Sequence, residues 1–268
     1  MSSVSGIKMA RVCFFIIFFL LSCPLAALYV GNPALPSLIE EGFFLIKENK
    51  VAIKLGYERD WLLDRPMKLA SHLSGRFDRF KALSDQGVLV LNLLDRYEIY
   101  GQAGATSFFA EHRPAADVQN RYQSYNQFTW GLGARALLAS WGSCFLGVDI
   151  EYQRASPEIK WLTKNGAPIP PLSSSKVTSS EWQVALGFGY QISFFYPYIA
   201  VKYADNCVTF KNLPTGFIAG TNRFSMKNRR RLGLALGASL STGSCFGVSI
   251  EARFIDDQAV TLAAKIKL

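Results

Sequence analysis

Over much of its length, and most clearly from residue 182 onward, apolar side chains alternate one for one with small or polar ones. Trp182, Val184, Leu186, Phe188 and Tyr190 hold one parity; Gln183, Ala185, Gly187, Gly189 and Gln191 hold the other. The pattern returns as Leu232, Leu234, Leu236, Ala238 and Leu240 against Gly233, Ala235, Gly237 and Ser239. It returns again as Phe246, Val248, Ile250, Ala252 and Phe254 against Gly247, Ser249, Glu251 and Arg253. The last run sets Val260, Leu262, Ala264, Ile266 and Leu268 against Thr261, Ala263, Lys265 and Lys267. Period two places successive side chains on opposite faces of an extended strand. In a soluble sandwich the outer face would be densely charged. Here the second face is glycine and small residues with scattered charges, which suits a curved wall around a wet lumen, while the apolar face suits lipid. The runs are about ten residues long, enough for a tilted strand to cross a bilayer. Tyr97, Trp130, Trp182, Tyr190 and Tyr203 fall near run ends, where interfacial aromatics belong. The pattern predicts an all-β chain, a transmembrane antiparallel up-and-down β-barrel.

The spacing of connections predicts its topology. Short turns are expected at Leu94-Asp95-Arg96, Trp141-Gly142-Ser143-Cys144, Ser193-Phe194-Phe195 and Ser241-Thr242-Gly243-Ser244. Longer polar segments fall near 108–126, 156–178 and 209–228, and 166–175 is loop by composition. Short turns face the periplasm and long loops the exterior. Two segments recur: Leu62-Leu63-Asp64-Arg65 as Leu93-Leu94-Asp95-Arg96, and Gly142-Ser143-Cys144-Phe145 as Gly243-Ser244-Cys245-Phe246. If all four are periplasmic turns, residues 39–46 ascend, 51–61 descend, and the barrel has about twelve strands. The alternative is ten, with 37–50 as a periplasmic segment.

Export is written at the N-terminus. Lys8 and Arg11 precede an apolar run over 12–21, and small residues Ala26 and Ala27 follow. The run is too short to span a bilayer as a helix, so residues 1–27 read as a signal peptide cleaved after Ala27 and 28–268 as the barrel. Leu20-Leu21-Ser22-Cys23 is a competing lipoprotein-type site that would make Cys23 the first residue. Half the 268 residues are hydrophobic, only 18% are charged, and the formal net charge is +9. The basic balance would suit nucleic acid, an anionic surface or anionic solutes. No basic helix or aromatic–basic ladder accompanies it, which excludes nucleic acid from the expected partners. The one basic cluster, Lys227-Asn228-Arg229-Arg230-Arg231, reads as a solvated loop flank or as a contact to phosphate or sulfate outside the cell.

Several segments, in order, resemble the major outer membrane protein (porin) family of the Chlamydiae. They are Leu28-Tyr29-Val30-Gly31-Asn32-Pro33-Ala34-Leu35-Pro36-Ser37; Leu94-Asp95-Arg96-Tyr97 with Gly104-Ala105-Thr106; and Trp130-Gly131-Leu132-Gly133-Ala134-Arg135-Ala136 leading to Trp141-Gly142-Ser143-Cys144 and Leu146-Gly147. Glu181-Trp182-Gln183, Pro197-Tyr198-Ile199-Ala200-Val201-Lys202 and Glu251-Ala252-Arg253-Phe254-Ile255-Asp256-Asp257 complete the set. The resemblance covers nearly the whole exported chain and implies a pore in the cell outer membrane. The chain departs from the family in being short, compact in its loops, poor in cysteine and closed by Leu268 where such barrels usually end in Phe.

No catalytic constellation accompanies the pattern. His72 and His112 stand without ligand spacing or a nucleophile, so no enzyme activity, metal or cofactor is expected. If the barrel is a porin, its lumen is the site. Parity assigns Lys54, Glu98, Arg135, Asp149, Glu151, Lys202, Arg231, Glu251, Arg253, Lys265 and Lys267 to it, with Glu58 and Glu181 also facing in. The two signs nearly cancel, and basic loops at the mouth suggest at most weak anion selectivity. After cleavage the chain keeps Cys144, Cys207 and Cys245, an odd number in an oxidising compartment, which points to at least one free thiol or one cross-link with a neighbour, with buried, inert cysteines as the alternative. Cys144 and Cys245 lie too far apart around the wall to pair. Two functions compete. One is passive diffusion of small hydrophilic solutes. The other is a structural or adhesive barrel with a plugged lumen, acting through loops and cysteines. Expected partners are outer-membrane lipid, lipopolysaccharide, further copies of the chain and disulfide-linked envelope proteins.

Overall fold

A computed structural model describes residues 28–38, 51–69, 75–215, 217, 221–241 and 245–268. Among them lie fifteen strands. Ten build the wall: β1 (Val51–Asp64), β3 (Arg76–Leu93), β4 (Tyr97–Ala115), β6 (Gln127–Trp141), β7 (Cys144–Ala155), β10 (Lys176–Tyr190), β11 (Phe195–Lys211), β13 (Leu232–Ser241), β14 (Phe246–Phe254) and β15 (Gln258–Lys267). Each pairs antiparallel with its neighbour, β15 returns to β1, and β3 to β4 completes the ring. Closure leaves no unpaired edge in the lipid, the condition for β-structure to span a bilayer.

Alternation does what its period requires. Leu132, Ile150, Leu186, Ile199, Leu236 and Ile250 are exposed on the outside, while Ala185, Ala200, Ala235 and Ala263 are buried inside. Two aromatic rows bound this apolar belt. Trp130 packs on Tyr152 and Trp182 on Tyr203 at one level; Trp141 packs on Phe188 at the other. From Trp130 to Trp141 β6 advances eleven residues. At about 3.3 Å per residue and a tilt of about 40°, that is about 28 Å along the membrane normal, close to the apolar band of such barrels.

The wall has ten strands, the alternative count from the sequence, and not twelve. Val51 is in register with Leu93, so β1 starts at the short-turn end and ascends, where a descending strand was expected. Asp64-Arg65 therefore stands at the opposite end from Asp95-Arg96, and that repeat does not mark two equivalent turns. The Gly-Ser-Cys-Phe repeat does serve one end: Cys144 opens β7 there, and Lys267 N–H donates to the Cys245 carbonyl there. The strand expected over 39–46 lies outside the described residues.

The outward half also differs from a set of open loops. β4 runs on past the belt to pair with β5 (Val118–Ser124), and β5 pairs with the β8 (Ile159–Lys164) and β9 (Ala167–Ile169) hairpin. β12 (Phe224–Asn228) joins β11 to β2 (Met67–Leu69). The segments expected as loops near 108–126 and 156–178 are thus largely strand, because polar composition does not prevent pairing where a partner stands beside it. The outer turn after β14 is short, only Ile255–Asp257, so not every exterior connection is a long loop. Beneath these extensions Phe80, Phe108, Tyr122, Phe210, Leu213, Phe217 and Phe224 form an apolar core inside the outer mouth.

Candidate functional site: the barrel lumen

Residues 28–38 do not lie in the wall. They run inside it, entering from the short-turn mouth. Asn32 starts the compact part: its Oδ1 accepts the Ala34 N–H, and the Leu35 and Ser37 N–H groups close turns onto Asn32 and Ala34. Gly31 has φ +78° and a guanidinium of Arg135 where a Cβ would be, so only glycine fits. The wall is shaped to match. Pro33 lies against Gly147, Gly187 and Gly189 of β7 and β10, each of which would push a Cβ towards it. Val30 packs on Ala185, Ala200 and Ala235, and Tyr29, Leu35 and Leu38 pack with Tyr196 and Ala263.

Polar side chains of the wall hold this segment by its main chain. Glu251 accepts the Val30 and Gly31 N–H groups, both at 3.0 Å. Arg253 donates to the Leu28 carbonyl, Gln183 to that of Tyr29 and Arg135 to that of Val30. Lys54 Nζ reaches the Leu35 carbonyl at 2.9 Å, Asn92 that of Pro36 at 2.7 Å, and Ser241 Oγ that of Leu38 at 2.8 Å. Backbone groups removed from water need such partners, and the wall supplies them from most of its strands.

Around and above the segment is a buried ionic network. Near the short-turn end Lys54 pairs with Glu98 (2.7 Å), Arg135 bridges Glu98 and Asp149, and Lys265 meets Glu58 (3.1 Å). Tyr100 donates to Asp149, and Gln102 to Glu151. Further out, Arg65 binds Glu181 (2.6 Å) and Asp257 (3.0 Å), Lys202 binds Asp256 and Asp257, and Arg253 binds Asp60 and Glu251. Between this layer and the apolar outer core remains a cavity of ≈ 20 Å³, lined in part by Arg65, Glu181 and Asn206. That is room for about one water.

Lys54, Glu98, Arg135, Asp149, Glu151, Lys202, Glu251, Arg253, Lys265 and Lys267 are all buried inside the barrel. Arg231 is not. It precedes β13, is exposed, and meets Asp205 and the Tyr203 hydroxyl on the outer parity of β11. Parity holds only inside a strand, and the chain bends before Leu232. Asp60, Arg65, Asp256 and Asp257 were missing from the expected set. Arg65, Asp256 and Asp257 lie beyond strand ends, where alternation carries no information. Asp60 follows the even inward parity that Lys54 and Glu58 already mark on β1. Among the described residues the buried charged side chains number nine acidic and seven basic.

The remaining candidates are elsewhere. Cys144, Cys207 and Cys245 are free thiols. Cys144 and Cys245 are four strand spacings apart, about 19 Å around the wall. His112 is buried in the outer core, stacked between Phe77 and Phe224, and His72 lies outside the described residues.

No protein-family model matches the chain. Curated relatives do. The chain is 23% identical over 372 aligned residues to the major outer membrane porin of Chlamydia psittaci, covering 91% of this chain and 95% of that one. It is 23% identical over 380 residues to the major outer membrane porin, serovar F, of Chlamydia trachomatis, at the same coverages. Both alignments are much longer than this chain of 268 residues, so the relatives carry residues that it lacks. Among solved structures, the translocator domain of the autotransporter NalP from Neisseria meningitidis superposes with a TM-score of 0.46 and 8% identity, covering 87% of this chain and 91% of that one.

Proposed function

Because the chain is a short, divergent member of the chlamydial major outer membrane porin family and resides in the outer membrane, we propose that it is a porin for passive diffusion of small hydrophilic solutes, held closed by residues 28–38. The observation that carries this reading is the composition of the lumen. Each buried ion costs several kcal/mol of desolvation, and apolar replacements of buried ion pairs are often at least as stable. The same molecule packs its outer mouth with Phe, Leu and Tyr, so an apolar filling was open to it. A belt-level interior lined instead with paired charges suits water and solutes. No chemistry on the solute is required.

Selectivity follows the interior. Among the described residues, nine acidic against seven basic buried side chains favour cations in the lumen, opposite to the weak anion preference expected from basic loops at the mouth. Rings of one sign set preference in charged pores, and here the excess is small. A reversal potential under a salt gradient tests it: a shift towards the cation equilibrium is expected, and a clear shift towards the anion contradicts it.

A second reading has its own support. Ten strands can be filled by side chains, and this lumen is occupied from both ends. A structural barrel would use it that way. Swelling of liposomes carrying the purified protein in small sugars separates the two. Swelling that appears or rises when the plug seat is disrupted supports the porin; impermeability in every variant supports the structural barrel.

A further inference from the structure

Leu28 is the innermost point of the luminal segment. It is buried, and its carbonyl is held by Arg253. Outward of it stand the Arg65–Glu181–Asp257 and Lys202–Asp256 pairs, the ≈ 20 Å³ cavity and then the aromatic core. That cavity holds about one water, far less than a further peptide segment needs. The charges around it are also unbalanced. Acidic groups exceed basic ones by two among the buried side chains, and Asp60 Oδ2 and Asp257 Oδ1 are buried without a hydrogen-bond partner. Both carboxylates are salt-bridge partners of Arg253, the residue that also grips Leu28.

We propose that residues 28–38 are a tethered peptide ligand of the lumen, seated only after cleavage leaves a free α-ammonium on Leu28 beside Asp60 and Asp257. Hydrolysis of the Ala27–Leu28 bond by a signal peptidase consumes one water and leaves a carboxylate on Ala27 and an ammonium on Leu28. That ammonium supplies three donors and one positive charge where the wall has spare acceptors and excess negative charge. A buried carboxylate oxygen left without a hydrogen-bond partner is costly, and an incoming ammonium removes part of that cost. The fit of Pro33 to three wall glycines and the main-chain hydrogen bonds along the segment give the ligand a built seat. Processing and closure are then one event: the uncleaved chain cannot plug itself, and the cleaved one does.

The proposal rests on the lumen described above and not on permeation, so its test reads the N-terminus without ion flux. Protein purified from outer membranes is treated, folded, with a water-soluble amine-acylating reagent, then digested and analysed by mass spectrometry. The N-terminal peptide is expected to begin at Leu28. Its α-amine should react at least about tenfold more slowly than after unfolding, as expected of a group that reacts only on local opening. Exposed Lys160 provides the internal reference. Gly187→Leu, which fills the Pro33 seat, should expose the α-amine while Lys160 reactivity stays unchanged. Asp60→Asn, which keeps the shape, should raise α-amine reactivity without emptying the seat. A first residue away from Leu28, or an α-amine as reactive as Lys160 in the folded wild type, overturns the proposal. So does full protection of the α-amine in both variants.

Discussion

Lys202 is the residue on which the outer ionic layer turns. It is fully buried and is the shared partner of Asp256 and Asp257 in the tight turn between β14 and β15. Removing one partner of a buried ion pair costs about 3–5 kcal/mol, because the remaining charges stay buried. Lys202→Met should therefore lower the unfolding midpoint markedly in detergent, read as loss of the fast-migrating folded band on unboiled gels. His112 makes a different prediction. It stands nine residues beyond Ala103, the register partner of Trp130, and so outside the lipid belt. Burial among Phe77 and Phe224 pushes its imidazole down from 6.5 to about 4, against the opposing pull of Asp78. A folded value below the unfolded one means the unfolded chain takes up the proton first. Stability of the outer core should be flat above pH 7 and fall as pH drops from about 6.5 towards about 4. His112→Phe should remove that slope in thermal unfolding scans; an identical slope in the variant would contradict the assignment.

At the scale of elements, the belt and the wall glycines make separate claims. Val201 lies on β11 between Tyr203 of one aromatic row and Ile199, the register partner of Phe188 in the other, and faces lipid. Val201→Arg should destabilise the barrel by about 2–4 kcal/mol, the cost of a cation at the bilayer midplane, measured by reversible unfolding in lipid vesicles. Gly133 and Gly237 carry the rings of Tyr100 and Tyr198 from the neighbouring strands, and a Cβ at either would collide with the ring. Those tyrosines donate to Asp149 and Glu251, so they cannot swing away freely. Gly133→Ala or Gly237→Ala should each cost about 1–3 kcal/mol by overpacking. The strands themselves were legible because period two is a property of local sequence. β10, β13, β14 and β15 lie where alternation puts them, with the expected face outward. The direction of β1 was not legible, because Leu-Leu-Asp-Arg is too short to mark an end: Arg96 closes a surface turn, whereas Arg65 folds inward onto Glu181. The glycines of β7 and β10 suggested curvature alone. That they seat Pro33 depends on a contact some 114 to 156 residues away in sequence, which no local pattern carries.

For the whole molecule, three layers stack along one axis: a peptide plug at the short-turn end, an ionic network at the belt and an aromatic core beneath the outer extensions. Only the middle layer was foreshadowed by the sequence, through the charges scattered on the small-residue face. The proposed porin requires that the belt-level lumen be a path for water and ions which residues 28–38 close. Single-channel recording in planar bilayers tests it most directly, on the wild type and on Gly187→Leu with its Pro33 seat filled. The wild type should be silent or open rarely, and the variant should give frequent, discrete, uniform steps. Silence in both, with the variant shown to be folded, would contradict the claim, and so would a wild type that conducts as fully as the variant.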